Sequence, residues 1–415
     1  MIMDSPQPGE AWQAGSLHYI CWQGTPDTRI IYSLDKGSSW TSIEPTPEDP
    51  TPDDCRFAPT TGNRRLWRTP DAPGAECLIR PDAPGTVGRE IAIRIAPSGE
   101  RAYRWTPVTL DPPFAPRDGG GALVFRDRMW LIGGWNPEDQ LHFPNDCNSE
   151  VWSSADGRDW ELVNPAAPWE KRHTAGYAVH RDRLWVVGGD PIQGHYQNDV
   201  WYSPDGLNWT CVQAAVPWAP RVLHHTVTHA GKLWVMGGQT LPDFAPAPRR
   251  HYRDVWCSDD GIRWECVQPE APWEPRGQIG GSAVKDGYMW MIGGGLYYER
   301  YYPDVWRSRD GVAWECVCRM APWYPRYYHE VAVYDDRLWL LEGISRTMGN
   351  RRDVWYSSDG LNWYEVPDTP WEPRHAASVY VHAGALWMIA GNRTGSGCRN
   401  DVWKLTPLPK NPPSC

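Results

Sequence analysis

The sequence predicts an all-β protein, and three observations carry that prediction. The 415 residues include 28 Trp and 19 Tyr against 5 Phe, with 39 Gly and 41 Pro, a balance of strands and punctuated turns. No stretch carries an apolar stripe at the helical spacing of about 3.6 residues. One motif, Asp-Val-Trp followed by a Ser-x-Asp-Gly turn and then Trp-x-x-Val, returns along most of the chain.

Aligned on the first Trp of that motif, Trp152, Trp201, Trp256, Trp306, Trp355 and Trp403 are separated by 49, 55, 50, 49 and 48 residues. Each unit reads Pro-Arg, an alternating segment, Leu-Trp or Met-Trp, Gly-Gly, a variable loop, Asp-Val-Trp, Ser-x-Asp-Gly and Trp-x-x-Val. Four short strands, a to d, fit that order. In the second unit they are expected at 175–180, 183–189, 199–203 and 208–212. Asp205-Gly206 forms the c-d hairpin turn, with Gly supplying a positive φ and Asp bonding its own backbone. The sixth unit stops after residues 401–405 without its Trp-x-x-Val, while Trp105-Thr106-Pro107-Val108 stands alone ahead of the first. The early segment is therefore expected to complete the last unit, which leaves no open sheet edge between the ends of a ring. Pro107 suits the outermost strand, where no N–H is needed.

The pairs Gly133-Gly134, Gly188-Gly189, Gly237-Gly238 and Gly293-Gly294, each followed by a c-strand and a d-strand Trp, resemble kelch repeats, whose period is about 50 residues. The resemblance covers about residues 103 to 408. It implies a six-bladed kelch-type β-propeller of the galactose-oxidase-like kind, closed by its N-terminal strand. Glu342-Gly343 and Ala390-Gly391 depart from the double glycine in the last two units. Ahead of the array, residues 5–22, 32–40 and 67–80 resemble an Ig-like β-sandwich found on bacterial multidomain proteins, and Ser33, Asp35, Gly37 and Trp40 resemble an Asp-box hairpin. The expected organisation is an Ig-like sandwich over 1–100, a propeller over 101–408 and a Pro-rich tail over 409–415.

A formal net charge of −10, without any basic tract, argues against nucleic acid or an anionic membrane surface as partner. No run approaches the roughly 18 apolar residues of a membrane helix, and the first ten residues lack a charged then apolar leader pattern. A soluble protein is expected, cytoplasmic or exported after loss of a signal. The 11 Cys form neither CxxC pairs nor zinc spacing. Cys147 and Cys398 each precede the c-strand Trp by five residues in the first and last units, so ring closure makes them neighbours and a disulfide is expected in an oxidising compartment.

Of the 28 Trp, 23 fall at repeat positions, which is the signature of packing between units rather than of a ligand site. Trp135, in the first b-c loop, is the exception and a candidate ligand contact. Arg117, Arg172, Arg221, Arg276, Arg326 and Arg374 open strand a in every unit. They form either a cationic collar for a carboxylate ligand, with Arg172, Arg221, Arg326 and Arg374 as contacts, or a set of bonds to loop carbonyls. Histidine does not follow the repeat. His173, His224, His225, His329 and His375 at the d-a joints, with His142, His195 and His251 in the b-c loops, are expected on one rim. Joined by Asp118, Tyr327, Tyr328 and Glu330 as catalytic groups, the five joint histidines suit a copper or iron ion. Tyr327-Tyr328-His329 resembles the axial ligands of copper radical oxidases, although no Tyr-Cys crosslink partner is identifiable. Tyr297, Tyr298, Tyr301 and Tyr302, in a variable b-c loop, are candidates for stacking on a ligand.

Two functions follow. The first is a recognition module that binds a small molecule, glycan, peptide or protein through the b-c and d-a loop face. The alternative is a metal-dependent oxidase or a sugar-acid-modifying enzyme using the axial His/Tyr/Glu cluster. No nucleophile motif, phosphate loop or paired-carboxylate spacing is visible.

Overall fold

The computed structural model describes residues 2–25, 27–44, 63–83, 86–87, 89–139, 146–190, 195–241, 248–278, 280–297 and 299–409. Among these residues the regular elements are all strands, with no helix, and none is long and apolar enough to cross a membrane as a helix.

The N-terminal strands form two sheets. Ile2–Ser5, Leu17–Gln23 and Asn63–Arg68 form one, while Ala11–Gln13, Ile91–Ala96, Glu76–Ala83, Arg29–Ser33 and Thr41–Ser42 form the other. Strict alternation places Ile91, Ile93 and Ile95 inward, where they meet Trp12, Trp22, Ile30 and Ile79 in one core. Gly37 N donates to Ser33 Oγ at 2.8 Å, and Trp40 Nε1 donates to Gly37 O at 3.1 Å.

Six four-stranded antiparallel sheets follow. Their first strands are Gly121–Phe125, Gly176–His180, His225–His229, Ser282–Lys285, Glu330–Tyr334 and Ser378–His382. Each adjoins the next, and the sixth adjoins the first. The sheets therefore stand in a ring. In the second sheet the strands run Gly176–His180, Arg183–Gly189, Gln197–Ser203 and Thr210–Gln213, within two residues of the expected bounds. Tyr103–Thr109 pairs antiparallel with Val402–Pro407 and supplies the outer strand of the sixth sheet, with Trp105 opposite Leu405.

Away from the mouth of the ring, side-chain contacts join the sheets. The c-d turn is set locally: Gly206 N donates to Ser203 Oγ at 2.7 Å, and the amides of Leu207 and Asn208 donate to Asp205 Oδ1. Gly206 is required twice over, because its φ is +77° and a Cβ there would collide with the Trp130 indole of the preceding sheet. The same contact recurs around the ring and closes it, since Trp387 of the sixth sheet lies on Gly157 of the first. A second layer of contacts sets each Trp of a d-a joint edge-on against the d-strand Trp of the next sheet, as in Trp169 and Trp209 at 5.8 Å and Trp323 and Trp363 at 4.3 Å. Trp371 meets Trp105 at 5.8 Å and 88°, so the N-terminal strand occupies the d register of the sixth sheet. The sequence offers only five such joint tryptophans; Phe114, 5.1 Å from Trp160, fills the sixth place.

The N-terminal sheets and the ring share a core. Leu17, Tyr19, Cys21 and Leu66 pack into one cluster with Trp290, Trp323, Trp355 and Trp363. Leu17 N donates to Trp363 O at 3.1 Å, and Gln13 N donates to Asn362 Oδ1 at 2.8 Å.

Candidate ligand site at the mouth of the ring

The residue two places after each ring arginine turns the chain toward the axis. Gly119, Thr174, Leu223, Tyr328 and Ala376 all have φ between +50° and +58°. A β-branched Thr in this left-handed region is an outlier that the surroundings must hold. What holds it is a collar of hydrogen bonds, one per sheet. Ala376 N donates to Tyr328 O, Gly119 N to Ala376 O, Thr174 N to Gly119 O, Leu223 N to Thr174 O and Gln278 N to Leu223 O, at 2.7 to 3.2 Å. The fourth sheet departs from the pattern, and there the Gln278 side chain substitutes by accepting from Tyr328 N at 3.1 Å.

Outside the collar, the residue after each arginine makes an isolated bridge with the residue that follows the glycine at or just beyond the end of strand b. The six pairs are Asp118 with Trp135, His173 with Asp190, Val222 with Gln239, Gly277 with Gly295, Tyr327 with Ile344 and His375 with Asn392. The backbone register is constant while the side chains differ in every unit. That variation splits the mouth in two. On one side Val222, Leu223, Tyr301 and Tyr327 form an apolar plug. On the other, where the sixth, first and second sheets meet, lies a cavity of about 450 Å³. Trp135, Tyr297 and Tyr328 give it aromatic walls, and Asp118, Asn136, Glu138, His173, His375 and Asn392 give it polar groups.

No protein-family model matches the chain, and no curated protein does. Solved structures do. YjhT, a β-propeller-type structure, superposes with a TM-score of 0.57 at 16% identity, covering 73% of this chain and 98% of that one. The likeness is one of fold. It shows the all-β architecture and, at that identity, nothing about the ligand.

The electrostatics of the cavity centre on two groups. His173 Nδ1 lies 3.0 Å from Asp190 Oδ1 and 3.5 Å from Cys147 Sγ. Burial is the largest single influence and opposes charge on this imidazole, but Asp190 and Cys147 together outweigh it and raise His173 well above its ordinary value. Burial pushes the Asp118 carboxyl up to about 6, with the His173 charge and the Asn392 amide pulling the other way. His375, stacked on Tyr328 at 5.4 Å, is lowered to about 4 by burial and is neutral.

The arginine collar is not available to a ligand. Each guanidinium is buried and bonded to the acid of the c-strand motif: Glu150, Asp199, Asp254, Asp304, Asp353 and Asp401 pair with Arg117, Arg172, Arg221, Arg276, Arg326 and Arg374 at 2.5 to 2.7 Å. Each also donates to the carbonyl at the end of strand b, as Arg326 Nη1 does to Glu342 O at 2.9 Å. The same acids accept from the c-strand indoles, as Asp199 does from Trp201 at 2.7 Å. The expected carboxylate contacts Arg172, Arg221, Arg326 and Arg374 are thus latches within each sheet.

The histidines do not gather either. Among the described residues no three His, Cys, Asp or Glu side chains stand close enough to hold a metal ion. His224 Nε2 meets Val187 O at 3.1 Å, and His329 Nε2 meets Ile292 O at 2.9 Å. His173 and His375 line the mouth cavity, while His224 and His225 face a separate axial chamber inside the collar. The registers differ because His173 and His375 directly follow an arginine whereas His224 and His329 lie three residues beyond one. Tyr327 is buried in the plug, its hydroxyl accepting from Gln239 Nε2 at 2.6 Å. Tyr301 stacks on Tyr327 at 5.5 Å and Tyr302 lies under the Arg276 guanidinium at 4.5 Å, so neither is an exposed stacking surface. Tyr298 and His142 lie outside the described residues. Cys147 and Cys398 both meet Trp135 as free thiols, the first by a backbone bridge and the second by an S–H donated to its carbonyl at 3.6 Å.

Sequence reasoning overlooked Asn136, Glu138, Asp190 and Asn392. A signal was present. The position after the b-strand glycine reads Trp, Asp, Gln, Gly, Ile and Asn through the six units, and a register that varies within a fixed repeat marks where side chains are free to specialise.

Glu330 faces the axial chamber, of about 170 Å³, at 6% exposure. Among the described residues its Oε1 has no hydrogen-bond partner, and neither do the ring nitrogens of His225. Burial raises the Glu330 carboxyl well above its ordinary value. The folded protein therefore keeps a proton that the unfolded chain releases above about pH 4.3, and stability from this group falls as pH rises toward the folded value. Glu330→Gln removes that dependence. The melting-temperature difference between variant and wild type is expected to widen in the variant's favour from pH 5 to pH 8; a constant difference across the series refutes the assignment.

Proposed function

We propose that the ring is a six-bladed kelch-type propeller with an Ig-like domain docked on it, and that it recognises a glycan terminus at its mouth. The blade reading is supported by the repeat, the closing strand and the likeness to a propeller-type structure. The ligand reading rests on one observation, the cavity that combines the flat faces of Trp135, Tyr297 and Tyr328 with the amides of Asn136 and Asn392 and the acids Asp118 and Glu138. Aromatic faces meet the C–H face of a sugar ring, and planar amides and carboxylates meet its hydroxyls. Its volume falls within the roughly 300–1,000 Å³ of small-ligand sites.

Saturation-transfer NMR against a panel of mono- and disaccharides tests this. Trp135→Ala is expected to weaken the best binder about tenfold, or about 1.4 kcal/mol. Equal signal from wild type and variant counts against the site.

A second reading is proton-transfer chemistry on the bound sugar, favoured by the Asp190-oriented His173 facing the cavity with Asp118. It needs no metal. Following sugar resonances over time separates the two readings: turnover lost in His173→Asn with binding retained supports an enzyme, and unchanged resonances with wild type support a recognition module.

A further inference from the structure

The sign of charge in the mouth is the reverse of what the arginine repeat suggests. All six guanidiniums are neutralised inside their own sheets. No Lys or Arg lines the cavity among the described residues, whereas Asp118 and Glu138 do. His173, the one lining cation among the described residues, is already matched by Asp190 at 3.0 Å. Asp118 is buried, and the Glu138 carboxylate reaches across to Gly397 of the sixth sheet, where an added Cβ would meet its Oε2 at 2.8 Å. The two acids, from the first sheet and its b-c loop, thus line the same cavity as the Trp135 indole and the Tyr297 and Tyr328 rings. Carboxylates set among aromatic faces attract a cation twice, through opposite charge and through the negative ring faces, and the low-dielectric walls strengthen both.

From this juxtaposition, and resting on the glycan reading above, we infer that the ligand carries a protonated amine, as in a sugar with a free amino group. A carboxylate sugar is disfavoured by the same charges. Discrimination of this kind comes from the repulsive element as much as from the attractive one.

The test uses the full chain at neutral pH, with glucosamine, glucose and glucuronate titrated separately and followed by NMR. Glucosamine is expected to bind at least tenfold more tightly than glucose, and glucuronate more weakly than either. The glucosamine preference should shrink as sodium chloride rises, a readout that needs no variant. Asp118→Asn and, independently, Glu138→Gln should each bring the glucosamine-to-glucose ratio toward one. Glucose and glucosamine bound equally, both with dependence on Trp135, would overturn the charge inference and leave the glycan reading standing. Glucuronate bound most tightly overturns it as well. If no sugar binds, the glycan reading falls, and choline against its neutral isostere 3,3-dimethylbutan-1-ol then decides the charge alone: preference for choline keeps the inference, and parity ends it.

Discussion

Deleting residues 1–112 is expected to abolish cooperative folding, whereas deleting residues 1–100 should leave a folded ring with a lower melting temperature. The difference lies in one strand. Tyr103–Thr109 completes the sixth sheet along Val402–Pro407 and places Trp105 against Trp371 and Tyr103 against Trp339. Losing a buried aromatic side chain of this kind costs about 3–5 kcal/mol, and two of them approach the 5–15 kcal/mol that holds a typical domain together. The deletion also leaves the Val402–Pro407 edge unpaired, an aggregation-prone template. The shorter truncation keeps the strand but strips Leu17, Tyr19, Cys21 and Leu66 from the core around Trp290 and Trp363, so a folded but weakened ring results. Calorimetry with near-ultraviolet circular dichroism reads both outcomes, and identical melting of the two truncations would show that the strand does not close the ring.

Arg326→Ala should cost about 3–5 kcal/mol of stability while leaving the ligand preference of the folded fraction unchanged. The guanidinium is fully buried, and Asp353, at 8% side-chain exposure, lies 2.5 Å away. Arg326 also donates to Glu342 O at 2.9 Å and, from Nε, to Tyr324 O at 3.0 Å. Truncation leaves the buried carboxylate with only the part-exposed Arg351 at 3.2 Å as counter-charge and leaves two carbonyls without their donor. Asp353 is held well below the usual carboxylate range by Arg326 and Arg351 despite its burial. Its stability contribution is thus present above the unfolded value and lost as pH falls. Arg326→Met combined with Asp353→Leu should recover much of the loss, because no fully buried charge is left and Arg351, at 26% side-chain exposure, still reaches solvent. Urea denaturation of wild type, Arg326→Met, Asp353→Leu and the double variant measures the coupling, and additive losses would mean that the pair is not a unit. A collapse of sugar selectivity in folded Arg326→Ala would instead return the arginine to the binding site.

The repeat made the sheets legible. Period-2 segments, the Asp-Gly turns and the displaced Trp105-x-x-Val108 are local signals, and local hydrogen bonds such as Gly206 N to Ser203 Oγ make them structure. The fate of the arginines was not legible. A guanidinium meets its acid 27 to 33 residues away, across a variable loop whose length the eye does not bridge. The mouth is harder still, because Asp118, His173 and Asn392 come from the two ends of the array and meet only when the ring closes.

By itself, then, the sequence determined what repeats: the strands, their turns, the indoles between units and the segment that closes the last one, since each of these is fixed by near neighbours in the chain. Only the tertiary structure decided what the exceptions do. Which arginines are spent on acids, which imidazoles face a cavity and which a carbonyl, and which half of the mouth is plugged all depend on angular position around the axis. Positions two residues apart at the start of an inner strand fall on opposite sides of a hydrogen-bonded collar, and no spacing along the chain reports that.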